Sequence, residues 1–171
     1  MTAARGTAFV SAAAAASVAL GLFAGPASAS RLVTKAEVES VTDGDTIRAT
    51  VHGESEPVRF IGIDTPEVYP EKDCGGDEAS ASMNRMLEAG DTVRLVRDPS
   101  QGNRDVYDRL LRYVEFKGKD LGRKQVSRGW AETFVYDRPF DRVSSYRKKQ
   151  KQARRHDRGV WGMCPGGFPP P

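Results

Sequence analysis

Apolar side chains gather in five short stretches of this chain, alternating with polar ones strictly in some and loosely in others. Leu32 to Val41 carries Val33, Ala36, Val38 and Val41, and Thr46 to Val51 puts Ile47, Ala49 and Val51 on one face. Thr92 to Val96 alternates through Val93 and Leu95, and Pro57 to Ile63 and Leu110 to Phe116 are short apolar-rich runs. Each stretch predicts a strand. Asp43-Gly44-Asp45 and His52-Gly53-Glu54 are turn sequences between the first three, which predicts an antiparallel meander.

Between and after the strands the period lengthens. Asp77 can cap a helix whose stripe is Ala79, Met83, Met86 and Leu87, with Gly90 as its stop. Asp120 to Arg128 reads as a second, short helix ended by Gly129, and Trp130 to Tyr136 as extended. Asp141 to Arg155 reads as a third helix with Val143, Tyr146, Gln150 and Ala153 inward. Val68 to Asp77 and Asp98 to Asp105 are polar loops, and Pro165 to Pro171 is a loose Pro- and Gly-rich tail. The fold class is α+β, mainly β: a five-stranded OB-type barrel with three helices. Such barrels commonly bind nucleic acids on one face, but the fold alone does not assign a function.

The 171 residues divide unequally. Arg5 is the only charge before Arg31, and the apolar run between them ends in Ala27-Ser28-Ala29, a cleavage-site pattern. Residues 1–29 therefore read as a secretory signal peptide. The competing reading is a retained anchor, since the run is long enough to span a bilayer at roughly 20 residues. Residues 30–164 form one domain and 165–171 the tail. Cleavage lowers the formal net charge from +3 to +2, so the overall balance says little about partners. The chain holds two cysteines, Cys74 and Cys164. An even count in an exported chain favours a disulfide, closing a loop of about 90 residues worth about 4–5 kcal/mol by chain entropy. Two cysteines and two separated histidines give no zinc-site spacing.

Charged residues cluster at the strand ends. Asp45, Asp64 and Glu67 are hard oxygen ligands or bases, and Thr65 offers a backbone carbonyl between them. Antiparallel neighbours bring Asp45 and Asp64 together. Glu67 lies where it can hold or deprotonate a water. Arg59 and Arg109 are suited to phosphate oxygens through paired, charge-assisted hydrogen bonds. Arg59 precedes Asp64 by five residues, an odd offset that would put them on opposite faces of one strand. A bulge or strong curvature must intervene if they are to meet. Taken singly, each of these residues is better read as a solvated turn carboxylate or a surface arginine.

Taken together they carry a resemblance. Asp43-Gly44-Asp45-Thr46, then Arg59 before Asp64-Thr65-Pro66-Glu67, then Asp105-x-Tyr107-x-Arg109, resembles the staphylococcal nuclease family in order and spacing. Glu78-Ala79-Ser80 and Gly129-Trp130-Ala131 extend the likeness across residues 35–162. The resemblance implies an OB-fold phosphodiesterase that uses Ca2+ and cuts DNA and RNA by in-line attack, leaving a 3′-phosphate. It implies that Asp45, Asp64 and the Thr65 carbonyl hold calcium and that Glu67 orients or activates the water. Arg59 and Arg109 would bind the scissile phosphate, with Tyr107 and Tyr136 beside the nucleotide. The expected protein is a secreted monomer with nucleic acid as its partner and no stable membrane association after signal cleavage.

Three departures from the family pattern stand out. Asp108 occupies the place of a usual glycine, where Asp can adopt a left-handed turn but adds a carboxylate that competes for Arg109. Phe134 replaces a common tyrosine. The loop after Glu67 is short and carries Cys74. The third helix carries Arg142, Arg147, Lys148, Lys149, Lys151, Arg154 and Arg155, which reads either as a solvated face or as a phosphate-tracking surface. The alternative function is a noncatalytic nucleic-acid-binding barrel, against which the retained acids and arginines argue.

Overall fold

The computed structural model describes residues 1–2 and 32–169. The candidate signal peptide lies outside the described residues, apart from its first two. Five strands close the barrel: β1 (Val33–Val41), β2 (Thr46–Val51), β3 (Glu54–Phe60), β5 (Thr92–Val96) and β6 (Leu110–Phe116). They run in the order β3-β2-β1-β5-β6, and a parallel β3–β6 pairing closes the ring. β1 pairs with both β2 and β5, and its register slips between Val38 and Ser40. The extra residue there increases local twist, which lets one strand serve two walls. A two-residue β7 (Lys119–Asp120) extends β6.

Alternation decides what fills the barrel. Ala36 and Val38, Ile47 and Ala49, Val58 and Phe60, Val93 and Leu95 are all buried, with the intervening residues turned outward or half-covered. α1 (Gly76–Asn84), α2 (Leu121–Arg128) and α3 (Val143–Arg155) add Met83, Leu121, Val126, Tyr146 and Ala153 to the buried set. A single turn, α4 (Val160–Met163), follows them. Among the described residues no helix is long and apolar enough to cross a membrane.

Four sequence expectations need correction. The third strand starts at Glu54 and stops at Phe60. The chain breaks at Gly62, whose φ of 77° favours glycine and whose Cβ would lie 2.3 Å from the Phe140 ring. It then resumes as β4 (Ile63–Asp64), paired with β8 (Glu132–Thr133) in a separate two-stranded sheet. Asp77 does not cap α1. Gly75 does, in a left-handed conformation without a side-chain bond, and Asp77 sits in the first turn, ion-paired with Lys72. α1 ends at Asn84 rather than at Gly90, although Leu87 stays buried beyond it. The tail is not loose throughout, because Phe168 packs on Trp161 with centroids 4.8 Å apart.

Two buried acids anchor the outer elements. Asp120 caps α2 through the Arg123 amide (3.0 Å) and accepts the Tyr146 hydroxyl (2.8 Å) and Arg142 Nη1 (2.6 Å) from α3 and its N-terminal flank. Asp98 accepts the Tyr113 hydroxyl, the Asp141 amide (2.8 Å) and the Ser100 amide and hydroxyl (2.9 and 2.7 Å). The second set ties the β5–β6 loop to the segment leading into α3. Cys74 is bonded to Cys164, joining the loop before α1 to the end of α4 across 90 residues.

Candidate active site

The break at Gly62 resolves the parity conflict between Arg59 and Asp64. Because β4 restarts after a turn, the two side chains meet: Arg59 Nη2 lies 2.7 Å from Asp64 Oδ1 and 3.1 Å from Asp45 Oδ2. Arg59 Nη1 also donates to the Ile63 carbonyl at 2.7 Å. One guanidinium thus joins the turn before β2 to the end of β4, across the β2–β3 register that pairs Thr46 with Arg59.

Asp45 is almost wholly buried. Its Oδ2 accepts the Thr65 amide (3.0 Å) and hydroxyl (3.1 Å), and its Oδ1 accepts the Thr46 hydroxyl (3.0 Å). The turn beneath it is tightly held. A Cβ on Gly44 would lie 2.8 Å from the Thr65 side chain, so Gly44 permits that approach. From the other side, fully buried Gln125 of α2 donates to the Gly44 carbonyl at 3.0 Å and to the Ala79 carbonyl at 2.9 Å, and accepts the Ser82 hydroxyl at 2.7 Å.

Asp43, Asp45, Asp64, Glu67 and Glu132 crowd this region, and Arg59 is bonded to two of them, Asp45 and Asp64. Burial pushes Asp64 up to about 6, with the charges of Asp45, Glu67 and Glu132 adding to it against Arg59. Burial and then the Asp45 charge push Asp43 up to about 6, although Asp43 accepts the Asp45 amide at 3.0 Å. Glu67 is open to solvent on one side. Partial burial on the other, with the Asp45 charge, raises its carboxyl against Arg59 and Arg109. Its backbone is fixed by Asp73, whose carboxylate accepts the Glu67 amide (3.0 Å) while the Asp73 amide donates to the Glu67 carbonyl (3.0 Å). Among the described residues the Glu67 carboxylate has no hydrogen-bond or ion-pair partner.

Arg59 also lines a cleft of about 690 Å³, together with Arg109, Tyr107, Phe134 and Tyr136. Tyr107 and Tyr136 are both exposed, at 76% and 82%. The Arg109 guanidinium lies 5.3 Å from the Tyr107 ring centroid and its Nε donates to Asp105 at 2.6 Å. The expected competition from Asp108 does not occur. Asp108 has a positive φ of 64°, as a residue in a glycine position must, but its carboxylate points to Arg104 at 3.5 Å and is otherwise exposed. Asp105, inside the motif itself, is the acid that holds Arg109. Asp45, Asp64, Thr65 and Glu67 are not cleft-lining residues; Arg59 belongs to both the cleft and the carboxylate cluster.

Sequence reasoning did not single out Asp73 or Gln125. Asp73 had no motif to betray it. Gln125 had a signal: it lies on the inward face of α2, one turn after Leu121 and next to Val126, both buried. A polar residue there needs buried partners.

The fit to a cation is chemical. Among the described residues no three His, Cys, Asp or Glu side chains are grouped to hold a metal by themselves. A cation at Asp45 and Asp64 would draw on backbone carbonyl and water oxygens as well, which is the ligand set of a hard ion such as calcium. Asp64 Oδ2 has no partner among the described residues, and the excess of acids over Arg59 favours a positive charge.

Comparison with known proteins agrees with this geometry. The family described as staphylococcal nuclease homologue matches residues 57–163. The chain belongs to that family. Thermonuclease of Staphylococcus hyicus is 33% identical over 128 residues, covering 73% of this chain and 74% of that protein. The SPbeta prophage-derived endonuclease YokF of Bacillus subtilis is 30% identical over 129 residues, covering 72% of this chain and 43% of YokF. Endonuclease YncB of the same organism is 28% identical over 129 residues, covering 72% of this chain and 60% of YncB. The chain spans about half the length of these two Bacillus relatives.

Proposed function

We propose that this protein is a secreted, calcium-dependent nuclease that hydrolyses phosphodiester bonds in DNA and RNA. The observation that carries the reading is the placement of Arg59, which contacts Asp45 and Asp64 on one side and lines the Arg109 cleft on the other. Family membership and relatives named endonuclease or thermonuclease support the same chemistry. The N-terminal segment supports export, where calcium is abundant enough for a weak site of about 10⁻⁴–10⁻³ M.

In the reaction we propose, Asp45, Asp64 and the Thr65 carbonyl would hold the cation. When bound, calcium supplies charge stabilisation to the phosphoryl oxygens and lowers the pKa of water. Glu67 accepts a proton from the attacking water, which its raised pKa makes easier than for an ordinary glutamate. The new bond forms from water oxygen to phosphorus. The bond from phosphorus to the 5′ oxygen breaks, that oxygen leaves as a hydroxyl after taking a proton from solvent water, and Glu67 returns its proton to solvent. Arg59 and Arg109 neutralise the charge that accumulates on the equatorial oxygens. Both enter the substrate complex already held by acids, Arg59 by Asp45 and Asp64 and Arg109 by Asp105, so their guanidinium planes are oriented before the phosphate arrives.

Cleavage of single-stranded DNA with calcium, lost with chelator and lost in Glu67→Gln, tests this reading. Well-folded protein that cuts without calcium, or binds DNA and never cuts it, would return the barrel to a binding module.

A further inference from the structure

A second concave site lies on a different set of residues. The C-cap of α1 is Arg85, α2 contributes Lys124 and, in its last turn, Arg128, and the segment between α3 and α4 contributes Arg158. With Ser127 and Trp130 they line a concavity of about 490 Å³. No acid lines it, and none of the four cations takes part in an ion pair among the described residues. The Val160 amide on the Gly129 carbonyl at 2.9 Å ties the end of α2 to the segment before α4, and the Ser82 hydroxyl on Gln125 at 2.7 Å ties α1 to α2. The backbone positions from which the four cations project are therefore fixed relative to one another.

We propose that this concavity is a second phosphate-binding site, occupied by the backbone of a single-stranded nucleic acid. Like charges brought together cost free energy, and part of that cost is offset because Arg85 and Arg128 sit at the carbonyl ends of α1 and α2. That account does not reach Lys124, in the middle of α2, or Arg158, whose Nη1 makes one bond to the Ser127 carbonyl at 3.2 Å. Arg128 Nη1 makes one long bond to Ser82 Oγ at 3.3 Å. Most donors of the four side chains stay available. Trp130 decides between anionic partners. Cations interleaved with an aromatic face are what a single strand needs, since phosphates take the charge and bases take the ring. A membrane surface would call for exposed apolar side chains to insert, and among the described residues none of the large exposed apolar side chains (Tyr69, Val106, Tyr107, Tyr136, Met163 and the N-terminal Met1) lines this concavity.

The choice of nucleic acid as ligand rests on the nuclease reading, and the site itself is separate from the Arg59–Glu67 machinery. The chain has two tryptophans, so Trp161→Phe leaves Trp130 as the sole reporter. Titrating that protein in chelator with a single-stranded twelve-residue oligothymidylate should quench Trp130 emission as a base stacks on the indole. Introducing Lys124→Gln and Arg158→Gln, both at exposed positions, should abolish the quench. It should also lower the slope of log K against log salt by about 1.4, the share of two phosphate contacts on a single strand. Cleavage of a small chromogenic phosphodiester with calcium should be unchanged by the pair. Binding of the oligonucleotide, read by anisotropy, with Trp130 emission unmoved and the salt slope intact would overturn the proposal. So would quenching by anionic lipid vesicles but not by the oligonucleotide. If the unmodified protein fails to cleave anything yet Trp130 responds as expected, the nuclease reading falls and the second site stands.

Discussion

Two groups of acids in this barrel face the same difficulty, loss of water, with opposite outcomes. Asp98 is buried, which alone would raise its pKa, yet the Tyr113 hydroxyl, the Asp141 amide and Ser100 outweigh burial and hold it below the usual carboxylate range. Asp64 has a guanidinium at 2.7 Å, yet burial and three neighbouring acids push it up to about 6. Donors surround the first acid, and other acids surround the second. The Asp98 and Asp120 clusters are complete as they stand and hold α3 and the β5–β6 loop in place. The Asp45–Asp64 cluster is short of positive charge, as expected of the cation and phosphate site proposed above and unlike a structural cluster.

The sharpest way to break that distinction is to remove one member of each cluster. Glu67→Gln should lower cleavage by about 10²–10⁴, the range for a lost general base, with little change in thermal stability, because its carboxylate has no partner to lose. Asp120→Asn should do the reverse. It takes charge from a group bonded to Arg142 and Tyr146, at a cost of about 3 kcal/mol, while cleavage per folded molecule stays near normal at low temperature. If Asp120→Asn abolishes turnover in fully folded protein, the separation of structural from functional acids is wrong.

Proton linkage should give the two clusters opposite signs. The lowered pKa of Asp98 contributes stability that is present above the unfolded value, near 3.9, and is lost as pH falls through the folded value. Asp98→Asn should therefore flatten the acid limb of a melting-temperature profile. Asp64 has a raised folded value, so the native state keeps a proton that the unfolded state releases between about pH 4 and 6. Calcium-free protein should lose stability as pH rises through that window. Asp64→Asn should remove this loss and make the protein relatively more stable at neutral pH in chelator. An Asp64→Asn profile parallel to the unsubstituted one would show that Arg59 already neutralises the cluster.

The sequence made the structural half of this comparison harder to see than the functional half. Short apolar runs located the five barrel strands, with the bounds of the third shifted, because each strand contributes several side chains to the core. The β4–β8 pair escaped notice because two-residue strands have no period to read. That omission left the Arg59–Asp64 parity unresolved, since the Gly62 turn between β3 and β4 settles it. Asp45, Arg59, Asp64 and Arg109 stood out because their motifs repeat a known spacing. Asp98 and Asp120 lie in a loop and at a helix start, where acids are ordinary. Their role depends on Tyr113 and Tyr146, 15 and 26 residues away. The partner of Arg109 was misjudged for a related reason. Adjacency in sequence suggested Asp108, but a left-handed residue turns its side chain away and the i−4 acid, Asp105, closes the pair.

Gln125 tests whether the two kinds of cluster are separable at all. It is fully buried like Asp98, and satisfied like Asp98, yet one of its bonds ends on the Gly44 carbonyl inside the Asp43–Asp45 turn. Gln125→Leu keeps the volume and removes both donors and the acceptor. Buried groups left without partners cost about 1–3 kcal/mol. A share of about 1.4 kcal/mol falling on the turn that presents Asp45 would weaken calcium affinity about tenfold. The expected result is a higher half-saturating calcium concentration, with kcat at saturating calcium nearly kept. Ser82→Ala is the control. It removes the hydroxyl that Gln125 accepts but leaves the bond to Gly44, so it should lower stability without moving the calcium response. If both substitutions lower the melting temperature and neither shifts calcium affinity, Gln125 belongs with Asp98 and Asp120 as a structural group. The turn would then be held from the Thr65 side alone.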